Sequence, residues 1–350
     1  MPQRWKHRPG GSNWGEFGPD DQRGRMNLLT REKVLQGIAE VKEGLAFCLS
    51  LPLDLPGGNV LNPRRHPPRR AATIRDGEAA FNFPLARVDP RHTDVTCDDA
   101  VLLHLQYSTQ WDSLAHVGGM LDADGDGKPE PVYYNGWRAG EAIVGPRENS
   151  AAEPWARFEG SEAKALGIEN MATACVQGRG VLIDLHAHYG RARQLVGYDD
   201  LMRVCQADRT EVERGDMVCL HTGFAEMLVE MGGKPDGELL AKSCAALDGR
   251  DKRLLRWITD SGLAALIADN YAVEAYPARA AAAEDEHAHA ALPLHEHCLF
   301  KLGVHLGELW YLTELARHLR KARRSRFLLT APPLRLPGAV GSPATPVATV

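Results

Sequence analysis

Residues 106–116 bring many chemically active side chains into one short stretch. Two amides, Gln106 and Gln110, precede a carboxylate, Asp112, and an imidazole, His116. The stretch follows an apolar run of strand type and leads into a pair of glycines. Polar groups at the end of a buried strand are costly unless they bond one another, a metal or a substrate. This stretch is therefore the first candidate for a functional site.

A second stretch, residues 294–300, is also rich in side chains that bind metals or move protons. It contains His295, His297 and Cys298, and Glu308 follows further along the chain. Imidazole and carboxylate groups ligate divalent metals and act as acids and bases. The cysteine precedes two large apolar residues, so we expect it in the core rather than as a nucleophile.

The first stretch resembles the His-x-Gly-Thr-His-x-Asp-x-Pro-x-His signature of the cyclase family, which includes bacterial kynurenine formamidase and isatin hydrolase. Glutamines stand at the positions of the two metal-binding histidines. Further motifs that resemble the family occur in its order, from an Asn-Trp-Gly arm near the start to a Gly-Ser-Pro segment near the end. The positions that match the signature are Thr109, Asp112 and His116, and those that differ are Gln106, Ser108, Gln110 and Leu114.

The resemblance implies a role for each matching residue. Asp112 corresponds to a metal ligand, and His116 corresponds to the catalytic histidine that acts as base or acid. His295 and Glu308 correspond to a downstream pair that completes the metal site or supports it. Their separation is about one residue longer than in the family pattern, so His297 is an alternative to His295.

The two glutamines leave three arrangements of the site open, because an amide oxygen is a weaker ligand than an imidazole nitrogen. A harder divalent ion can bind through Asp112, Glu308 and the amide oxygens of Gln106 and Gln110. An ion can instead be shared by Asp112, His295 and Glu308 alone. In the third arrangement no metal binds, and the glutamines hold the substrate. The divalent metals considered are Mn, Zn, Mg and Ca.

The function that the resemblance implies is hydrolysis of an amide, cyclic imide or lactone bond in a small cyclic or aryl substrate. A divalent metal polarises a carbonyl and lowers the pKa of bound water. His116 can take the proton of that water and return it to the leaving nitrogen or oxygen. Two alternatives remain open: a metal-free lyase or isomerase that uses His116 as a base, and a non-catalytic small-molecule binder.

Aromatic side chains near the motifs are candidates to line an apolar substrate pocket. For each aromatic residue taken alone, a place in the core is the simpler explanation. Together with the motif threonine, the candidates for substrate binding are Trp14, Phe17, Thr109, Trp111 and Tyr134.

Alternating strand and helix patterns predict one α/β domain over residues 1–350. The resemblance implies a cyclase-like fold of the swivelling β/β/α type, with a mixed sheet or open barrel and surrounding helices. Residues 1–30 form an N-terminal arm, which either covers the core or borders a pocket. Residues 280–291, rich in alanine and acids, are an expected insert.

Four local features carry further expectations. Thr30 is placed to cap a helix. The proline- and arginine-rich run 62–70 predicts an exposed loop whose charge faces solvent. Residues 122–127 imitate the start of a calcium loop but lack its final glutamate, which favours a turn. His186 and His188 share a face if the preceding strand continues, and could then bind metal or line the site.

Composition excludes several functional classes. The 350 residues carry a formal net charge of −5, which argues against a broad nucleic-acid surface. No apolar run approaches the length of a membrane span, and the N-terminus has no signal-peptide core. Seven scattered cysteines without a Cys-x-x-Cys pair predict neither disulfides nor a thiolate zinc site. We therefore expect a cytoplasmic protein. The family resemblance implies a homodimer or homotetramer that acts on a small molecule.

Overall fold

A computed structural model describes residues 3–145, 161–282 and 288–350. Within these ranges the chain forms short strands, α-helices, 3-10 turns and one π-helical segment. The strands are β1 (Ala46–Cys48), β2 (Arg69–Ala72), β3 (Ile74–Arg75), β4 (Glu78–Ala79), β5 (Phe83–Pro84), β6 (Val95–Thr96), β7 (Asp99–Leu102), β8 (Gln110–Asp112), β9 (Gly119–Leu121), β10 (Glu130–Tyr133), β11 (Trp137–Arg138), β12 (Ile143–Val144), β13 (Glu162–Ala163), β14 (Gln177–Asp184), β15 (Gln194–Val196), β16 (Met217–His221), β17 (Ala245–Leu247), β18 (Ala265–Ala268), β19 (His305–Glu308), β20 (Arg326–Thr330), β21 (Gly341–Pro343) and β22 (Val347–Thr349). The α-helices are α1 (Arg31–Ala39), α2 (Ile168–Thr173), α3 (Leu185–Tyr189), α4 (Tyr198–Asp208), α5 (Phe224–Glu230), α6 (Gly237–Ala241), α7 (Lys252–Ser261), α8 (Pro293–His295) and α9 (Thr313–Ala322). The 3-10 turns are Gly24–Leu28, Leu85–Arg87 and Tyr134–Gly136, and the π-helical segment is Glu296–Leu302.

Nine of the described strands form one curled mixed sheet, in the order β1-β22-β20-β14-β16-β18-β19-β8-β21. Its centre, from β14 to β19, is parallel, and the strands on both flanks are antiparallel. The central strands β16 and β18 are buried along their whole length, as parallel strands covered on both faces must be. The predicted α/β fold with an open mixed sheet is confirmed.

Two apolar layers cover the two faces of this sheet. Neighbouring residues of β14 point to opposite sides, so Leu182 belongs to one layer and Ile183 to the other. The layer around Leu182 also contains Trp111 and Trp310, whose rings meet edge to face with centroids 5.0 Å apart. The face on which a side chain lies therefore decides whether it joins the core or the site.

Helix α1 begins as predicted and packs closely on β14. The Thr30 hydroxyl accepts a hydrogen bond from the backbone nitrogen of Lys33, 3.4 Å away. Gly37 permits the close approach, because a Cβ at this position would lie 2.7 Å from the backbone of Gly178. The approach lets Lys33 reach Asp216, with 3.0 Å between Nζ and Oδ1.

The N-terminal arm packs against the π-helical segment. The Trp14 indole nitrogen donates to the carbonyl of Phe300 at 2.8 Å, and the two rings meet edge to face. The backbone nitrogen of Arg25 donates to the carbonyl of Gly303 at 2.7 Å. The arm therefore covers the core, which was one of its two expected positions.

No helix among the described residues is both long and apolar enough to cross a bilayer.

Two local expectations need correction. The strand before the motif, β7, is not a buried strand, because it pairs only with β2 in a two-stranded ribbon and leaves Val101 exposed. The strand before His186 does not continue, because the Asp184 carboxylate accepts from the backbone nitrogen of Ala187 and caps α3. His186 and His188 therefore lie on a short helix and do not alternate as strand residues.

The remaining local features are partly as expected. Residues 122–127 form a turn, in which the Asp122 carboxylate accepts from the backbone nitrogens of Asp126 and Gly127. The insert at residues 280–291 lies partly outside the described residues. The loop expected at residues 62–70 ends where β2 begins, and one of its arginines faces inward, as shown below.

Candidate active site

Strand β8 places the predicted motif inside the main sheet. It pairs with β19 on one side and β21 on the other, and Gln110 lies opposite Glu308. Because side chains alternate along a strand, Gln110 and Asp112 share one face while Trp111 points to the other. All three residues of β8 are buried. The sheet register thus brings the two separated motifs together.

Asp112, His295 and Glu308 form a compact buried cluster. One ligand atom from each residue lies within 4.8 Å of the other two. His295 Nε2 lies 3.1 Å from Glu308 Oε1 and 4.0 Å from Asp112 Oδ2. Among the described residues, Asp112 Oδ2 has no hydrogen-bond partner although it is buried. A buried carboxylate oxygen without a partner is costly, so this position calls for a cation or a proton.

Glu274 orients the imidazole of His295. The Nδ1 atom of His295 lies 2.8 Å from Glu274 Oε1, and the same carboxylate accepts from the backbone nitrogens of Leu294 and His295. Burial lowers the pKa of His295, but hydrogen bonds with Glu274 and Glu308 outweigh this effect and raise it to about 10. Glu274 is a residue of this site that the family motif did not indicate.

His297, the alternative to His295, points elsewhere. Its Nε2 atom lies 2.9 Å from the hydroxyl of Thr259, and its burial lowers its pKa to about 4. The segment between His295 and Glu308 contains the π-helix Glu296–Leu302. A π-helical turn holds more residues than an α-helical turn, so it accommodates the extra residue in the spacing. Of the two histidines, His295 is the one in the cluster.

The two clustered carboxylates differ in acidity. Burial raises the pKa of Asp112, and the neighbouring charge of Glu308 adds to this effect, although His116 and His295 oppose it. Burial also opposes the ionisation of Glu308, but its hydrogen bond with His295 outweighs that effect, so its pKa is lowered. Without a cation, Asp112 is therefore the carboxyl group that more readily keeps a proton.

Arg65 comes from the loop that was expected to face solvent. Its Nη1 atom donates to the backbone carbonyl of Gln106 at 2.8 Å. Its charge opposes the rise that burial causes in the pKa of Asp112, and adds to the lowering of the pKa of Glu308 that His295 causes. Arg65 and Gln106 also line a small cavity beside the cluster, together with Tyr271. The prediction that the basic charge of this loop is only a solvated surface is therefore wrong for Arg65.

The amide of Gln110 can take two orientations. In one, its nitrogen lies 3.4 Å from both Asp112 Oδ1 and Glu308 Oε2, which is long for a hydrogen bond. In the other, the nitrogen donates to the carbonyls of Gln106 at 2.6 Å and Ser108 at 3.2 Å. The amide oxygen then faces the two carboxylates, which is favourable only if a cation or a proton lies between them. The second orientation gives the cluster a fourth ligand atom.

His116 is the accessible titratable group of the site. Its Nε2 atom lies 3.9 Å from Asp112 Oδ1, and its side chain is 22% exposed, whereas that of Asp112 is 0% exposed. Solvent and a substrate can therefore reach this imidazole. Its position suits a group that exchanges protons with a reactant beside the buried cluster.

The predicted substrate-binding residues are mostly structural. The Thr109 hydroxyl accepts from Leu51 nitrogen at 2.8 Å and donates to Leu309 carbonyl at 2.5 Å, so it fixes β8 beside the residue after Glu308. The indoles of Trp14 and Trp111 are buried in the core.

The remaining two candidates also lie with the arm and the core. Tyr134 is fully buried, and Gly303 packs against its ring. Phe17 lies in the turn of the arm that Asn135 holds through hydrogen bonds with Gly15 nitrogen and Gly18 carbonyl. Trp14, Trp111 and Tyr134 thus lie in the apolar layers, and a role for these residues or Phe17 in a substrate pocket stays a prediction.

The fold and the site together define an α/β protein with a buried carboxylate–histidine cluster beside an accessible histidine. The chain belongs to the cyclase family: the family model Cyclase, described as "Putative cyclase", matches residues 49–275. A crystal structure of a protein described as a novel cyclase is 30% identical, with a TM-score of 0.70 and 97% of each chain covered.

Two isatin hydrolases share the fold at lower identity. Isatin hydrolase A from Labrenzia aggregata, bound to benzyl benzoate, is 12% identical, with a TM-score of 0.52 and coverage of 91% of this chain and 98% of that chain. An isatin hydrolase bound to the product analogue thioisatinate is 11% identical, with a TM-score of 0.52 and coverage of 92% and 99%. No curated protein matches the sequence.

Proposed function

We propose that the protein is a hydrolase that cleaves an amide, cyclic imide or lactone bond in a small cyclic or aryl substrate. The observation that carries this proposal is the convergence of Asp112, His295 and Glu308 beside His116. A buried group of acidic and imidazole ligands next to a solvent-accessible base is what hydrolysis of an unactivated carbonyl compound requires.

The residues present fit a divalent cation. The buried oxygen of Asp112 without a partner and the amide oxygen that Gln110 can present both point to a positive charge in the cluster. Asp112, His295, Glu308 and Gln110 would hold it, and a set richer in oxygen than in nitrogen suits Mn²⁺, Mg²⁺ or Ca²⁺ better than Zn²⁺. When bound, such a cation polarises the substrate carbonyl and stabilises the negative charge that develops on it.

The chain's own groups move the proton and hold the charges. His116 Nε2 takes a proton from the attacking water and returns it to the nitrogen or oxygen that leaves. Asp112, 3.9 Å away, stabilises the imidazolium formed in between. Glu274 keeps the proton of His295 on Nδ1, so that Nε2 stays directed to the cluster.

The test combines elemental analysis with activity. The purified protein, stripped with a chelator and reloaded with Mn²⁺, Mg²⁺, Ca²⁺ or Zn²⁺, is expected to bind one tight ion per chain. It should then hydrolyse members of a panel of cyclic imides, lactones and aryl amides. Asp112→Asn should lose both the ion and the activity.

Asp122→Asn is the matched control, because Asp122 belongs to a second acidic group, on the surface turn, that could bind ions loosely. This variant should keep the tight ion and the activity. Hydrolysis that survives both the chelator and Asp112→Asn would contradict the proposed mechanism.

A further inference from the structure

A cavity of about 140 Å³ lies next to the smaller cavity that Arg65 lines. Tyr271 and Leu61 line both this cavity and the smaller one that contains Arg65. Glu274, which orients His295, also lines it. An apolar cavity of about 150 Å³ is known to hold one benzene ring. The cavity is therefore large enough for one six-membered ring next to the proposed site. Its apolar lining includes Val60, Leu61, Phe224, Leu240 and Ala241.

Asn270, in the lining of this cavity, has an unused hydrogen-bond acceptor. It lines the cavity and is only 4% exposed. Its Nδ2 atom donates to the carbonyls of Ala245 at 3.1 Å and Val273 at 3.4 Å, which fixes the orientation of the amide. Its Oδ1 atom has no partner among the described residues. A buried acceptor without a donor is unfavourable, so a ligand that donates a hydrogen bond here gains affinity.

Arg193 supplies a positive charge at the rim. Its guanidinium makes one long contact, 3.5 Å from Nη1 to the carbonyl of Ser243. Within the described part of the chain it forms no ion pair with a carboxylate. A planar guanidinium with free donors recognises carboxylates and other planar anions.

The segment that carries Asn270, Tyr271 and Glu274 is strained. Ala272 has φ of 71° and Val273 has φ of 58°, both in the left-handed region. A β-branched residue rarely adopts this conformation, and such strain persists where the surroundings hold it for a function. Asn270 and Tyr271 precede this strained bend and Glu274 follows it, and all three line the cavity.

We propose that this cavity is a substrate subsite that takes a ring with a hydrogen-bond donor facing Asn270 and an anionic substituent facing Arg193. This inference rests on the proposed function in one respect, namely that the bound ring belongs to the substrate. The scissile carbonyl then lies toward Tyr271, which lines both cavities, and toward Arg65 in the smaller one.

Binding of 4-hydroxybenzoate, measured by titration calorimetry, tests the subsite without requiring turnover. Its ring, hydroxyl and carboxylate match the lining, the Asn270 acceptor and the Arg193 charge. Benzoate, which lacks the donor, should bind about fivefold more weakly. Phenol, which lacks the anion, should bind about tenfold more weakly.

Variants locate the bound probe. Arg193→Gln should weaken 4-hydroxybenzoate about tenfold or more, whereas Arg193→Lys should keep most of the affinity. Ala241→Trp, at the exposed side of the lining, should block binding, and Ala241→Ser should not.

A catalytic variant separates this inference from the proposed function. Asp112→Asn should keep the affinity for 4-hydroxybenzoate within about twofold of the wild-type value. The proposed hydrolase function predicts that the same variant loses hydrolysis. Equal affinity for the three probes, or binding unchanged in both Arg193→Gln and Ala241→Trp, would overturn the subsite whether or not the protein proves to be a hydrolase.

Discussion

The Nδ1 atom of His295 lies 2.8 Å from Oε1 of Glu274, and this contact decides which nitrogen of the imidazole faces the site. Because Glu274 accepts the proton on Nδ1, Nε2 is directed to Asp112 and Glu308. In metal sites a carboxylate behind a histidine fixes the ring and makes the ligating nitrogen more basic.

Glu274→Gln should therefore weaken binding of a divalent metal about 10- to 100-fold. In the wild type, a backbone N–H group donates to the carboxylate of Glu274. In the variant, the amide nitrogen, itself a donor, would face this N–H group. Competition with a metal-sensitive dye measures the affinity. Glu296→Gln is the control, because Glu296 pairs with Lys301 instead, at 3.1 Å. Equal affinities in the two variants would show that Glu274 does not support the ligand.

Gln110→His should raise the affinity for Zn²⁺ about tenfold or more, and lower the preference for Mg²⁺ and Ca²⁺. The imidazole would replace an amide oxygen opposite Glu308 in the same register. Calorimetric titration with each ion measures the change. Gln194→His, on β15 outside the main sheet, should leave the affinities as they are. Unchanged Zn²⁺ affinity in Gln110→His would mean that this side chain does not face the ion.

His116→Gln should lower kcat about 10²- to 10⁴-fold while the metal content stays the same. The variant removes the proton acceptor but keeps a polar side chain at the accessible edge of the cluster. Steady-state kinetics over a range of pH and elemental analysis of the same samples test both parts. The exposed His92 provides the control variant His92→Gln, which should behave as wild type. A kcat within threefold of wild type would exclude His116 as the base.

The parts of the site that sequence could predict are those with a local signature. The resemblance of residues 106–116 to the family signature identified Asp112 and His116, and the order of the family's motifs identified His295 and Glu308. The structure brings Asp112, His295 and Glu308 together because β8 and β19 are neighbours in the sheet. The strand expected before His186 is β14, which is buried.

The missed residues have no such signature. Arg65 comes from a proline-rich loop, and only the tertiary packing turns it toward Gln106. Glu274 follows a bend with positive φ at Ala272 and Val273, which neither composition nor periodicity indicates. The Asp269-Asn270 step at the end of β18 was the one available signal, since strand ends often carry polar site residues.

The alternation along β8 predicts opposite consequences for neighbouring residues. Trp111 is 0% exposed, packs against Trp310, and donates from its indole to the carbonyl of Ala331 at 2.8 Å. Trp111→Ala should lower the free energy of unfolding by about 3–5 kcal/mol. The same change at the half-buried Trp257 should have a smaller effect. Urea unfolding followed by circular dichroism measures both, and equal losses would contradict a core role for Trp111.

Asp184 and His221 form a buried pair away from the cluster. His221 Nδ1 lies 2.8 Å from Asp184 Oδ1, and Arg320 Nε donates to Asp184 Oδ2 at 2.8 Å. Burial opposes ionisation of Asp184, but the hydrogen bonds from His221 and Arg320 outweigh it and lower its pKa to about 2. Burial also opposes the charge on His221, but its hydrogen bond with Asp184 outweighs this and raises its pKa.

These pKa shifts predict how the loss of stability caused by Asp184→Asn depends on pH. A lowered carboxyl pKa stabilises the fold above the ordinary value near pH 4, and the contribution is lost as pH falls toward 2. A raised histidine pKa stabilises it below about pH 6.5, and that contribution is lost as pH rises further. At pH values between 5 and 6, the free energy of unfolding of the variant should therefore be about 2 kcal/mol lower than that of the wild type. The difference between the two proteins should be smaller at lower and at higher pH. Urea unfolding of both proteins from pH 3.5 to 9 measures the difference, and a difference independent of pH would show that the pair carries no charge in the folded protein.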